Sequence, residues 1–136
     1  MSEAFSWRPE YGINIAEIDR QHQNLFRIVQ NLQLAISAGR GHEVIEAALT
    51  EVVNYTIHHF ATEEELMQRH GFPGITEHRV EHNALTLEIF RVQGQHAAGE
   101  AQAAEEFLKF LKKWLQEHTL KADKHYAEFL NAAGVT

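Results

Sequence analysis

Four helix-length stretches whose apolar residues step by three and four constrain this chain more than any other feature. The first carries Ile15, Ile18, His22, Leu25, Val29, Leu32 and Ile36 on one face; the second Ile45, Leu49, Val52, Thr56, His59, Glu63, Leu66 and His70. The third gives Ile75, His78, His82, Leu85, Ile89 and Val92, and the fourth Ala104, Phe107, Leu111, Trp114 and His118. That rhythm is the signature of a helix with one buried stripe, and strand-like alternation is absent. Glycines at Gly39/Gly41, Gly71/Gly74, Gly94/Gly99 and Gly134 separate the stretches, as helix ends require. The pattern predicts helices from Asn14 or Asp19 to Ala38, His42 to Arg69, Thr76 to Gln93 and Glu100 to His118, then a short one from Asp123 to Ala132. Four such seams with short connections describe an all-α, up-down-up-down antiparallel four-helix bundle. A single domain over 1–136 is expected: an N-terminal arm over 1–13, with Trp7 and Tyr11 against the bundle, the bundle over about 14–118, and a loop with a short C-terminal helix over 119–136.

Composition narrows the partners. A chain of 136 residues is large enough for one core without staples. Its net charge of −7 offers no basic surface for nucleic acid or anionic lipid. No cysteine is present, which removes disulfides, thiolate catalysis and iron–sulfur ligation together. No apolar run approaches the roughly 20 residues of a membrane span, and Met1–Trp7 lacks the pattern of a signal peptide. A cytoplasmic, freestanding monomer with no membrane insertion is the expectation.

The ten histidines then decide the reading. Each seam holds polar donors where a core wants leucine: His22, the pair His59 and Glu63, the pair His78 and His82, and His118. Both pairs are spaced i, i+4 and so stack on one face. With antiparallel neighbours, the start of the first helix, the end of the second, the start of the third and the end of the fourth meet. All six residues therefore converge within roughly two turns, about 10 Å of rise. Asp123, just beyond the fourth helix, folds back over the same end. Five buried imidazoles cannot satisfy one another, at about 1–3 kcal/mol for each unpaired group; a metal turns that cost into ligation. His58 is expected to face solvent, His42 and His96 to lie at the far end, His125 to be exposed and His70 to end its helix.

Five imidazoles and two carboxylates exceed one four-coordinate zinc site, so a dinuclear site with bridging carboxylates is the economical arrangement. Imidazole with oxygen donors suits iron, copper, nickel or zinc, not calcium or magnesium. Two carboxylates and a bridging hydroxide leave two divalent ions a modest positive charge. That favours reversible chemistry over the deep oxidation of glutamate-rich di-iron sites.

The stretches Ile18-Asp19-Arg20-Gln21-His22-Gln23-Asn24-Leu25-Phe26, His59-Phe60-Ala61-Thr62-Glu63-Glu64, His78-Arg79-Val80-Glu81-His82 and Trp114-Leu115-Gln116-Glu117-His118, with Asp123, resemble the hemerythrin family, in its single-domain bacterial form. The resemblance implies two iron ions, Fe2+ or Fe3+, bridged by Glu63, Asp123 and an oxo or hydroxo group. His78, His82 and His118 would hold one iron; His22 and His59 would hold the other, which keeps an open position for dioxygen as ligand. Leu25, Phe60, Trp114 and Leu115 would form a dry oxygen pocket over it. The function implied is oxygen carriage, storage or delivery to an oxygen-consuming enzyme, without catalysis. The rival readings are an oxygen- or redox-sensing domain and a di-iron oxidase or peroxide-reducing enzyme.

Overall fold

A computed structural model describes residues 7–136, giving only the backbone path for 119–122; the first six residues of the expected arm lie outside the described residues. Five α-helices follow a 3₁₀ turn at Pro9–Tyr11: α1 Ala16–Ser37, α2 Gly41–Arg69, α3 Ile75–Ala97, α4 Ala103–Trp114 and α5 Asp123–Ala132. Between α4 and α5 the chain winds as a π-helix over Leu115–Ala122. Helices α1 and α3 each pack on α2 and α4, the four-helix bundle that the seams predict. Among the described residues no helix is long and apolar enough to cross a membrane.

Helix ends differ from the sequence expectation where backbone chemistry outweighs the glycine signal. Helix α3 continues through Gly94 to Ala97 and stops at Gly99, whose φ of +79° no ordinary residue takes readily. Glu100 N–H then bonds back to Gln95 O at 3.0 Å, a Schellman closure that occupies the residues expected to open α4. The same closure, Phe72 N–H to Met67 O at 2.9 Å, ends α2. At the other end of the sequence, Asn14 sits at a φ of +59°, outside the helical region, and α1 starts at Ala16, between the two expected starts; Asp19 Oδ1 accepts the Ile13 N–H at 2.8 Å.

Two apolar clusters result. The larger fills the bundle, with Leu32, Ile45, Val52, Leu85, Val92, Phe107 and Leu111 among its members. Trp7 and Tyr11 pack beside it, each ring 5.4 Å from Phe26. The smaller joins Ile13, Ile15, Ile18, Met67, Tyr126, Ala127 and Leu130 beneath one end. Asn131 Nδ2 donates to Ile13 O at 3.1 Å, which ties α5 to the arm. Between the two clusters lies a polar layer.

Candidate metal centre

Seven residues make that layer, and all seven are buried: His22, His59, Glu63, His78, His82, His118 and Asp123. They fall into two sets whose donor atoms lie within 4.8 Å of one another, Glu63/His78/His82/His118 and His22/His59/Glu63/Asp123. Asp123 spans them. Its Oδ2 is 2.9 Å from His22 Nε2, while Oδ1 is 3.1 Å from His78 Nε2 and 3.2 Å from His118 Nε2. Glu63 spans them through one atom, Oε1, 3.1 Å from His59 Nε2 and 3.0 Å from His82 Nε2. Three imidazoles thus face one side of the layer and two face the other.

Asp123 reaches this position because of the π-helix. Along an α-helix, residues five apart point about 140° away from each other, so His118 and Asp123 could not share a target. The i→i+5 winding of 115–122 is wider and turns both inward. Short π-helical inserts of this kind recur at functional sites.

Not all of this close approach is hydrogen bonding, although His82 Nε2 and Glu63 Oε1 do pair at 3.0 Å. His78 Nε2, His118 Nε2 and both Asp123 oxygens have no hydrogen-bond partner despite their short separations. The two Nε2 atoms of His22 and His59 face each other at 3.1 Å. Because His59 Nδ1–H already donates to Gln21 Oε1 at 2.6 Å, its Nε2 offers a lone pair. Buried lone pairs aimed at a common centre repel, and a cation among them reverses the sign. The donor set therefore fits a pair of transition-metal ions.

Electrostatics agree with a layer organised around its carboxylates. Burial alone would raise the Glu63 pKa, yet His59, His78 and His82 hold it well below the usual carboxylate range. Burial and the Glu63 charge push Asp123 up, but His118, His22 and His78 outweigh them and lower it. His78 is lifted to about 10 because Asp123 and Glu63 overcome its desolvation. His22 is raised too: Asp123 overcomes its burial. For His59 burial wins, and its pKa falls.

A supporting layer escaped the sequence reading. His82 Nδ1–H donates to Glu64 Oε2 at 2.9 Å, and Arg79 Nε holds Glu64 Oε1 at 2.9 Å. Glu81 Oε1 lies 3.6 Å from His118 Nδ1. Gln21, which holds His59, is fixed by donating to Glu17 at 3.0 Å. Tyr126, kept protonated by burial and by Glu63, donates to Glu63 Oε2. Imidazole ligands need such partners to fix their tautomer. Position was the available signal, since Gln21, Glu64 and Glu81 each adjoin a proposed ligand in sequence.

The four expected pocket residues lie in the larger apolar cluster. Phe60 stacks flat on His82 with centroids 3.7 Å apart and planes 4° apart; Trp114 stacks on His118 at 4.2 Å. Those two rings brace the three-imidazole side. Leu25 and Leu115 are fully buried beside them. The remaining histidines are elsewhere: His58 is exposed and 3.8 Å from Glu17, His42 and His96 pair at the far end with rings 5.3 Å apart, and His70 caps α2.

The comparisons with known proteins bear on this arrangement. The family description "Hemerythrin HHE cation binding domain" matches residues 14–130. The chain belongs to the hemerythrin family. It is 32% identical over 123 residues to a bacteriohemerythrin of Methylococcus capsulatus, covering 90% of this chain and 93% of the relative. A Stenotrophomonas maltophilia bacteriohemerythrin is 32% identical over 126 residues, 93% of this chain and 81% of that one. Crystal structures of hemerythrin with a leucine replaced by tyrosine or by alanine superpose with TM-scores of 0.83 and 0.81 at 30% identity, covering 94% and 92% of this chain and 98% and 95% of theirs. Membership of this family supports a di-iron, oxygen-binding protein.

Proposed function

We propose that this chain binds dioxygen reversibly at a di-iron centre and serves as a carrier or store that delivers oxygen to consuming enzymes, without catalysing a reaction itself. The observation that carries the reading is the split of Asp123, one oxygen toward His22 and the other toward His78 and His118. A carboxylate shared in this way spans two ions, and Glu63 reaches both sides from α2 through the single oxygen Oε1. His78, His82 and His118 would hold one iron, and His22 and His59 the other, with Glu63, Asp123 and an oxo or hydroxo group between them. When bound, the iron pair supplies two electrons, reversibly, to dioxygen. The side with two imidazoles has one protein donor fewer, which leaves room there for a ligand.

The rest of the work belongs to the chain. Gln21 and Glu64 orient His59 and His82 so that each presents Nε2 inward. Tyr126 holds Glu63 by Oε2, the oxygen not shared between His59 and His82. Leu25, Phe60, Trp114 and Leu115 exclude water and protons, which would otherwise drive irreversible oxidation of the centre. The test is the visible spectrum of the reduced, iron-loaded protein under argon, then air, then argon. A charge-transfer band that appears and disappears through repeated cycles is expected. Bleaching to a stable oxidised spectrum in the first cycle would favour a sensor or an oxidase instead.

A further inference from the structure

Three surface openings reach side chains that touch the polar layer. The first, about 430 Å³ between α1 and α2, is walled by Glu17, Arg20, Asn24, Glu51 and His58 and meets the layer at Tyr55, which stacks on His59 at 4.8 Å. The second, about 300 Å³, places Glu77, Glu81 and His125 around His78. Both are rich in charge. The third, about 420 Å³, runs between α2 and α3; Val53, Ile57, Phe60, Ile89 and Phe90 line it, with Thr56, Thr86 and Gln93 as its polar members. It carries no charged residue, and Phe60 in its wall stacks on the layer.

We propose that this apolar groove is the route by which dioxygen reaches the centre, with the Phe60 ring as its door; the proposal rests on the oxygen-binding reading above. Dioxygen is small and uncharged, so an apolar cleft that water occupies poorly concentrates it relative to openings lined by hydrated charges. Phe60 is the side chain common to both spaces. It is 9% exposed, its face lies flat on His82, and its ring centre is 5.9 Å from that of His59, on the side that has room for a ligand. The groove also accounts for two large exposed apolar side chains. Ile57 on α2 is 68% exposed and Phe90 on α3 is 64% exposed; single exposed apolar residues are ordinary, but these two line the same cleft. The charged openings suit protons and ions, so the fold separates the path of the gas from the path of the charges that would spoil its binding.

Two measurements test the route. Crystals of the iron-loaded protein under xenon pressure should show xenon in the groove against Phe60, since apolar cavities take up this gas. Xenon absent from the groove overturns the proposal whatever the centre does with oxygen. In stopped-flow experiments, Ile57→Trp on the α2 wall and Thr86→Phe on the α3 wall should slow oxygen association and dissociation by a common factor of roughly five, which an added barrier of about 1 kcal/mol produces. A passage affects both directions equally, so the equilibrium affinity should not move. Asn54→Trp, placed over the Tyr55 opening, should leave both rates as they are. Unchanged rates in both groove variants, or slowing only in Asn54→Trp, would overturn the route while leaving reversible oxygen binding intact. A parent protein that takes up no oxygen would instead sink the earlier reading.

Discussion

The apolar far half of the bundle and the polar layer near its other end are buried alike and held together differently. Val52 and Leu85 are as inaccessible as His22 and Glu63, and all four occupy the same helical seams. In the far half, burial itself stabilises, at about 25 cal/mol per Å² of apolar surface removed from water. In the layer the same burial strips solvent from five imidazoles and two carboxylates, several of whose donor atoms have no hydrogen-bond partner. One half is complete as a polypeptide; the other is complete only with its ions. The two apolar clusters hold the unfavourable layer in place and thereby make it a metal site rather than a hydrated gap.

The sharpest way to break the comparison is to remove a donor shared by both sides. Glu63→Ala should abolish binding of both irons, read as metal per chain by elemental analysis, because Glu63 Oε1 touches both His59 and His82. His58→Ala, one residue from a proposed ligand but exposed, should keep both. Retention of one iron by the Glu63 variant would show that the sites are independent.

The converse change belongs to the far half. Leu32→Ala should cost about 2–5 kcal/mol of stability in thermal or denaturant unfolding, as deletions in a packed interior do. Iron content should be unaffected, since Leu32 carries no donor and lies in the larger apolar cluster. Iron lost from a variant that is still folded would mean that the two halves are not separable.

These contrasts also mark what the sequence could reveal. Helix periodicity and ligand-type residues on the seams were legible because each depends on spacing within one helix. His59 with Glu63 and His78 with His82 announce themselves by an i, i+4 step. The π-helix was not legible: no residue in Leu115–Ala122 signals a change of winding, and only the need of His118 and Asp123 for a common target explains it. The supporting contacts were hidden for a related reason. Glu64 reaches His82 across helices, from α2 to α3, and Tyr126 reaches Glu63 across 63 positions of sequence; no local pattern records such pairs.

One of those hidden contacts gives a smaller effect. Glu64→Leu keeps the approximate size of the side chain but removes the oxygen that accepts the His82 Nδ1–H. Loss of such a partner typically weakens metal binding about 10–100-fold, measurable by competition with a chelator. The variant should still fill fully at saturating iron, which separates it from Glu63→Ala. An unchanged affinity would assign Glu64 to its surface pair with Arg79 alone.

The smallest effect is counted in protons and is confined to the layer. In the metal-free protein His78 titrates at about 10, above the ordinary 6.5, because Asp123 and Glu63 overcome its desolvation. A raised pKa in the folded state stabilises it fully below the unfolded value and ceases to do so as pH rises through the folded one. The metal-free protein should therefore lose stability between about pH 6.5 and 10. Glu63 and Asp123, both lowered, act in the opposite sense: their contribution holds above the unfolded carboxylate value and disappears as pH falls through the folded one. Iron must displace the proton on His78, since only a neutral ring ligates. Anaerobic addition of ferrous iron at pH 8 in weak buffer should release the His78 proton in addition to the one water loses in forming a hydroxo bridge, followed with an indicator dye. The alkaline loss of stability should vanish once iron is bound, because a ligated ring no longer titrates in that window. A release at pH 8 no larger than the bridge alone supplies would mean that His78 is already neutral in the metal-free layer.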